Sequence, residues 1–139
     1  MIWHKTFTLE EINTYFDRNM TKHLGIKASA IHDNELHATM PITEKVLQPF
    51  GILHGGASVV LAESVGSIAS AMIIDTDLYN AVGLEINANH LRPGKSGIVT
   101  AQCTPIHIGR TTHIWDIKIS DERHRLLCVS RLTVAIVKK

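Results

Sequence analysis

The spacing of apolar residues along this chain divides it into a few elements. From Ala57 to about Ile74 hardly a polar residue appears except Glu63 and a few serines. That pattern predicts a helix apolar on nearly every face, and such a helix must be buried. After it the period becomes two. Val82, Leu84, Ile86 and Ala88 alternate with Gly83, Glu85, Asn87 and Asn89; Val99, Ala101 and Cys103 alternate with Thr100, Gln102 and Thr104; Trp115, Ile117 and Ile119 alternate with Asp116, Lys118 and Ser120. Leu126, Cys128, Leu132, Val134 and Ile136 mark a last long strand. These runs read as half-buried strands. The breaks between them are Pro93-Gly94-Lys95-Ser96-Gly97, Gly109-Arg110 and Ser120-Asp121-Glu122-Arg123-His124.

Upstream, Thr8 to Phe16 predicts a short helix with Thr8 as N-cap and Glu11 completing a capping box. Lys27 to Thr43 reads as two short strands joined near His32-Asp33-Asn34-Glu35, and residues 44–53 as a loop holding Pro49 and Gly51. Hairpin-length turns join the last four strands, which predicts antiparallel pairing. The sheet has one apolar face that needs a cover, and the helix needs a wrapper. The expected architecture is therefore α+β, a curved antiparallel sheet wrapped around a long central helix. Sheet edges and a partly uncovered helix predict self-association.

Composition narrows the picture. At 139 residues the chain is expected to form a single domain, 1–139, with a core that needs no disulfide staple. A net charge of +1 with scattered cations gives no footprint for nucleic acid. The two cysteines, Cys103 and Cys128, fall in strand-like segments and read as buried free thiols. Met1–Thr6 has no apolar core flanked by basic residues, so no signal peptide is expected there, and the helical run carries Glu63, Gly66 and serines, so no membrane span is expected. The expected compartment is the cytoplasm.

The candidate chemistry centres on the helix. A carboxylate in an apolar helix is costly unless paired, protonated or used. Glu63, Ser67 and Ser70 fall at i, i+4 and i+7, one polar stripe, with Ser64 off it. Carboxylate plus hydroxyl suits a general base or nucleophile that also holds a water, although Ser70 reads better as a small packing residue. At the helix start, His54-Gly55-Gly56 leaves free N–H groups at the positive end of the helix dipole, which suits an oxyanion. His54 could donate a hydrogen bond or only cap the helix, and Gln48 could position a carbonyl or water. His90, beside Asn89, ends the first long strand and lines either a pocket or the core. The turn Gly109-Arg110-Thr111-Thr112 suits phosphate, or is simply solvated. Gly56-Ala57-Ser58-Val59-Val60 lacks the closing glycine of a nucleophile elbow, and Gly94-Lys95-Ser96 lacks the rest of a phosphate loop. The nine histidines show no paired ligand spacing, so no metal is expected.

Residues Gln48–Ser64 and Val82–His90 resemble the hotdog-fold acyl-CoA thioesterases, in the branch of the Arthrobacter-type 4-hydroxybenzoyl-CoA and phenylacetate-pathway thioesterases. The resemblance covers nearly the whole chain and implies a hotdog fold. It implies hydrolysis of aryl- or acyl-CoA thioesters, with 1,4-dihydroxy-2-naphthoyl-CoA of menaquinone synthesis among the candidates. No cofactor is implied, since coenzyme A is part of the substrate. The Gly N–H that polarises the thioester carbonyl falls on Gly55, the preceding His on His54 and the loop Gln on Gln48. The catalytic carboxylate falls on Glu63 and the hydroxyl one turn later on Ser67. The strand-end histidine near the acyl group or the coenzyme falls on His90, with Asn89 beside it; Arg110, Thr111 and Thr112 are placed at the rim, on the phosphates. The site is shared between subunits of a homodimer, within a tetramer of paired dimers, so Glu63 would face the partner's Gly55. Rival readings are an editing thioesterase on acyl or aryl carrier protein, a hotdog hydratase or dehydratase, and a non-enzymatic acyl-CoA-binding module.

Overall fold

The computed structural model describes residues 1–139. Six strands form one antiparallel sheet: β1 Lys27–Ile31, β2 Leu36–Pro41, β3 Tyr79–His90, β4 Ile98–Ile108, β5 Thr112–Ser120 and β6 Leu126–Lys138. The order across the sheet is β1-β2-β4-β5-β6-β3. Two short helices, α1 Leu9–Phe16 and α2 Asn19–His23, precede the sheet, and the long helix α3 Gly55–Ile73 lies against it. The α1 cap is the one expected. Thr8 Oγ1 accepts from the Glu11 N–H at 3.1 Å, and the Glu11 carboxylate accepts from the Thr8 N–H at 2.7 Å.

The core sits between α3 and one face of the sheet. Leu61, Ala62, Val65, Ala69 and Met72 of α3 are buried against Leu36, Met40, Ala101, Ile117, Leu132 and other residues of that face. Gly66 is what allows the close approach, because a β-carbon there would stand 2.5 Å from Leu132 Cδ2. The helix is long and apolar enough to cross a membrane by length and composition, but it is the core element of this fold. One polar cluster pins it in register. The Trp115 Nε1–H donates to Ser70 Oγ at 2.8 Å, and His113 Nδ1 lies 3.1 Å from the same oxygen. All three residues are buried. Ser70 is therefore the polar link between α3 and β5, more than a small packing residue.

Three expectations are corrected. First, α3 is not buried all round. Val59, Val60, Ile68 and Ile73 are only half-buried, and Glu63 is exposed, because the sheet curves around one side of the helix. Second, β3 does not pair with β4. It pairs with β6 at the sheet edge, while β4 pairs with β2. Leu91–Gly97 is therefore a crossover, not a hairpin turn. It must pass three strand spacings, about 14 Å, which seven residues reach easily. The Leu91 N–H donates to the Leu127 carbonyl at 2.7 Å and the Leu53 N–H donates to the Gly94 carbonyl at 2.7 Å, so the crossover is stitched over the end of the sheet. Third, the alternation in β3 is broken by a bulge between Gly83 and Glu85. The bulge reverses the phase. Ala81, Ile86 and Ala88 pack against the core, while Val82 and Leu84 are exposed, Leu84 at 65%.

The Ser70 cluster yields two stability predictions. Ser70→Ala leaves the Trp115 N–H and a His113 nitrogen buried without a partner, which costs about 1–3 kcal/mol in denaturant unfolding. Burial holds the His113 pKa below its ordinary 6.5, and the charge of His107 adds to this while the Gly109 backbone opposes it. The unfolded chain then binds more protons than the folded one below that value. The His113 contribution is thus complete above pH 6.5 and lost as pH falls through the depressed folded value. His113→Gln removes that part of the slope of unfolding free energy against pH; an unchanged slope assigns the pH dependence to other groups.

Candidate active site

At the start of α3 the chain builds an amide site. His54 is the N-cap, and its Nδ1 accepts the Gly56 N–H at 2.8 Å. Nδ1 is thus the acceptor of the neutral ring, and Nε2–H remains a donor at the surface. The Ala57 and Ser58 N–H groups donate to the His54 carbonyl. The Gly55 N–H is left with no acceptor in the chain, at the positive end of a 19-residue helix. The His90 ring lies over Gly55: a β-carbon there would meet Nε2 at 2.8 Å and Cε1 at 3.1 Å. His90 therefore lies against Gly55 and lines the groove there and not the core. Gln48 folds its own turn, with its side-chain oxygen accepting the Phe50 N–H. A groove of 480 Å³ joins Gln48, Gly55, Ser58, His90 and Arg92. Ser58, buried one turn into the helix, is a member that sequence reasoning missed.

Glu63 forms the second part. Its Oε1 lies beside Gly83, where a β-carbon would stand 2.7 Å away. A side chain at that point of β3 would make the carboxylate shift, a contact the sequence did not reveal. Glu63 shares a groove of 350 Å³ with Ser64 and Ser67 and with Tyr15, Met20 and Ile68. Ser64, set aside from the helical stripe, thus lies in the Glu63 groove, whereas Ser70 faces the core.

The two parts do not meet within one chain. Gly55 and Glu63 are eight residues apart on α3, about 12 Å along its axis. Their neighbours on β3, His90 and Gly83, are seven residues apart, roughly 23 Å along a strand. The other candidates lie elsewhere. Asn89 follows Ala88 on the opposite face of β3 from His90, as the strand period demands. Thr112 is level with Ala135 and Val82, eight positions along β3 from His90, about 26 Å, so within one chain Arg110–Thr112 lie toward the Gly83 and Glu63 end of β3 and not at Gly55.

A long helix held by an antiparallel sheet, with a free amide at its start and a carboxylate two turns on, defines a thioesterase of the hotdog fold. The chain belongs to the thioesterase superfamily, whose family model matches residues 50–128. It is 49% identical over 137 residues to the 1,4-dihydroxy-2-naphthoyl-CoA hydrolase of Escherichia coli, covering 99% of this chain and 100% of that one. A mutant thioesterase from Pseudomonas aeruginosa superposes with a TM-score of 0.97 at 49% identity over the full length of both chains. A thioesterase from Haemophilus influenzae gives 0.95 at 48% identity, covering 99% of this chain and 96% of that one.

The Gly83 contact makes a prediction. Gly83→Ala should push the Glu63 carboxylate off β3 and lower kcat for an aryl-CoA thioester by roughly tenfold or more, as expected for a misplaced catalytic group. The fold should survive, since β3 is an edge strand. Wild-type kcat in the variant would show that the carboxylate needs no such seat.

Proposed function

We propose that the protein hydrolyses acyl-CoA thioesters at a site shared by two copies of the chain, with Glu63 of one copy acting opposite the Gly55 N–H of the other. The observation that carries this reading is the separation of the two groups: neither copy alone can place both on one carbonyl. The β3 edge is open, and Leu78, Tyr79, Val82, Leu84 and Leu91 are exposed on it and at its flanks. An antiparallel pairing of two β3 edges about a two-fold axis near Ile86 and Asn87 sets Gly83 opposite the partner's His90. It thereby brings Glu63 to the partner's Gly55 and covers the half-buried side of α3. Homodimer formation is part of this reading, and a tetramer of such dimers extends it.

In the proposed reaction the thioester carbonyl oxygen accepts the Gly55 N–H, which stabilises the negative charge that develops there. Glu63 removes a proton from a water held near the Ser64 and Ser67 hydroxyls. The hydroxide adds to the carbonyl carbon, the C–S bond breaks, and the coenzyme thiolate leaves and takes up a proton. The products are a carboxylic acid and free coenzyme A. His54 Nε2–H and Gln48 lie on the Gly55 side as positioning groups. The acyl group runs into the groove of Tyr15, Met20 and Ile68, whose apolar and aromatic walls suit an aryl acid. Similarity to the Escherichia coli enzyme supports 1,4-dihydroxy-2-naphthoyl-CoA as the substrate. The two free, buried thiols, Cys103 and Cys128, suit the reducing cytoplasm where such thioesters occur.

Glu63→Gln keeps the size of the side chain and removes its basic oxygen. Turnover should fall by at least roughly a hundredfold with folding intact. Gly55→Pro removes the amide donor and should also be inactive. Subunits of the two variants, refolded together, should regain activity, because some mixed dimers hold one complete site. No recovery in verified mixed dimers would place the whole site within one subunit. Single turnover in heavy-oxygen water tests the route, since label appearing in Glu63 would mean direct attack by the carboxylate in place of an activated water.

A further inference from the structure

The sheet has two edge strands, β3 and β1. In an antiparallel ladder every second residue of an edge strand turns both of its backbone groups outward, where no strand takes them. Ala28 of β1 is such a residue, and a side chain of α1 takes its place in the ladder. The Ala28 N–H donates to Asn13 Oδ1 at 2.8 Å, and the Ala28 carbonyl accepts from Asn13 Nδ2 at 3.1 Å. The Asn13 amide thus pairs with the strand as a neighbouring peptide group would. These two hydrogen bonds join α1 to the sheet.

The helix so held forms part of the Glu63 groove. Tyr15, Phe16 and Met20 make one wall, and Glu63, Ser67 and Ile68 of α3 belong to the other. Tyr15 and Ile68 also line an adjoining pocket of 270 Å³ that reaches Phe7 and Ile74. The width of the groove is therefore set by two helices held in different ways. Gly66 and the Ser70 cluster fix α3. The eight residues of α1 are too few to hold a helix by themselves. Its capping box lies within the helix start and ties it to nothing else.

Ile12 and Phe16 bury α1 in the core, but apolar contacts are not directional. A two-point amide bond to a strand is directional, and it fixes the rotation of the helix. Tyr15 follows Asn13 by two residues, about 200° round the helix axis. The bond that turns Asn13 onto β1 therefore turns Tyr15 away from the strand and toward the groove. Asn13 itself lines neither wall.

We propose that Asn13 is a positioning residue for acyl recognition. By pairing with Ala28 it locks the rotation of α1 and so holds Tyr15 and its neighbours ready for an aryl acyl group. The inference rests on the acyl-CoA thioesterase reading above and deepens it, by tracing selectivity for aryl acids to a residue outside the groove. Without the bond, α1 stays docked through Ile12 and Phe16 but samples other rotations. An aryl thioester then binds only the seated fraction, and its KM rises by the reciprocal of that fraction. An acetyl group ends short of the α1 wall, so its KM does not respond. Gly55 and Glu63 keep their places on α3, so kcat does not respond either.

The test compares wild type with Asn13→Leu and Asn13→Asp on benzoyl-CoA and acetyl-CoA. Asn13→Leu removes both hydrogen bonds. Asn13→Asp keeps the shape and the acceptor for the Ala28 N–H, but sets a carboxylate oxygen against the Ala28 carbonyl; it carries the test if the leucine variant does not fold. In each, the KM for benzoyl-CoA should rise by roughly fivefold or more, the scale of one net hydrogen bond. The kcat for benzoyl-CoA and both constants for acetyl-CoA should keep their wild-type values. Amide hydrogen exchange should quicken at Ala28 in Asn13→Leu while α3 stays protected. A wild-type KM for benzoyl-CoA in the folded variants would overturn the proposal. An equal rise for acetyl-CoA would also overturn it, since Asn13 would then be a general stabiliser. Wild type inert toward both thioesters would instead remove the hydrolase reading on which the proposal stands.

Discussion

Everything in this structure depends on how α3 lies against the sheet. Gly66 removes the side chain that would hold Leu132 away, and Ser70 joins the helix to Trp115 and His113. These contacts fix the height and the register of the helix. Its N-terminal amide then falls under His90, and its carboxylate falls beside Gly83. A helix that met only apolar side chains could slide by a turn at modest cost. The buried polar cluster penalises that slip, because unpaired buried N–H groups are expensive.

The same placement underlies the proposal that two copies share one site. A helix rises 1.5 Å per residue, so groups eight residues apart cannot converge on one carbonyl. The sheet reinforces the separation through the distance between Gly83 and His90 on β3. The bulge at Leu84 then turns apolar side chains outward next to Glu63. An open strand edge, exposed apolar residues and half of an active site occur together on one side of the molecule. The proposed pairing with a second copy would satisfy all three.

The crossover from β3 to β4 has a similar double role. It carries the chain across the sheet end and brings Arg92 and Lys95 within reach of the turn that holds Arg123 and Arg125. Neither loop is a phosphate site by itself. Gly94-Lys95-Ser96 lacks the geometry of a phosphate loop, and the β5–β6 turn spends Arg125 on Asp121. Together they line one groove that shares Arg92, Pro93 and Gly94 with the groove at Gly55.

The sequence by itself determined what local physics controls. The α1 capping box, the span of α3, the positions of the turns and the strand periods all follow from side-chain chemistry within a few residues. The candidate pair, Gly55 and Glu63, stands out in the sequence for the same reason: a glycine junction opening a helix and one carboxylate in an apolar run need no partner to be seen. Only the tertiary structure decided the rest. Pairing β3 with β6 instead of β4 depends on non-local strand contacts that short connections do not dictate. The Leu84 bulge depends on β6 register, so the alternation read across it was wrong in phase. The exposure of Glu63 follows from a sheet that covers one side of its helix, a property of curvature and not of composition. The contacts of His90 with Gly55 and of Gly83 with Glu63, and the meeting of Lys95 with Arg123, join residues 20 to 35 positions apart. No periodicity encodes such meetings; they exist only once the sheet has closed around the helix.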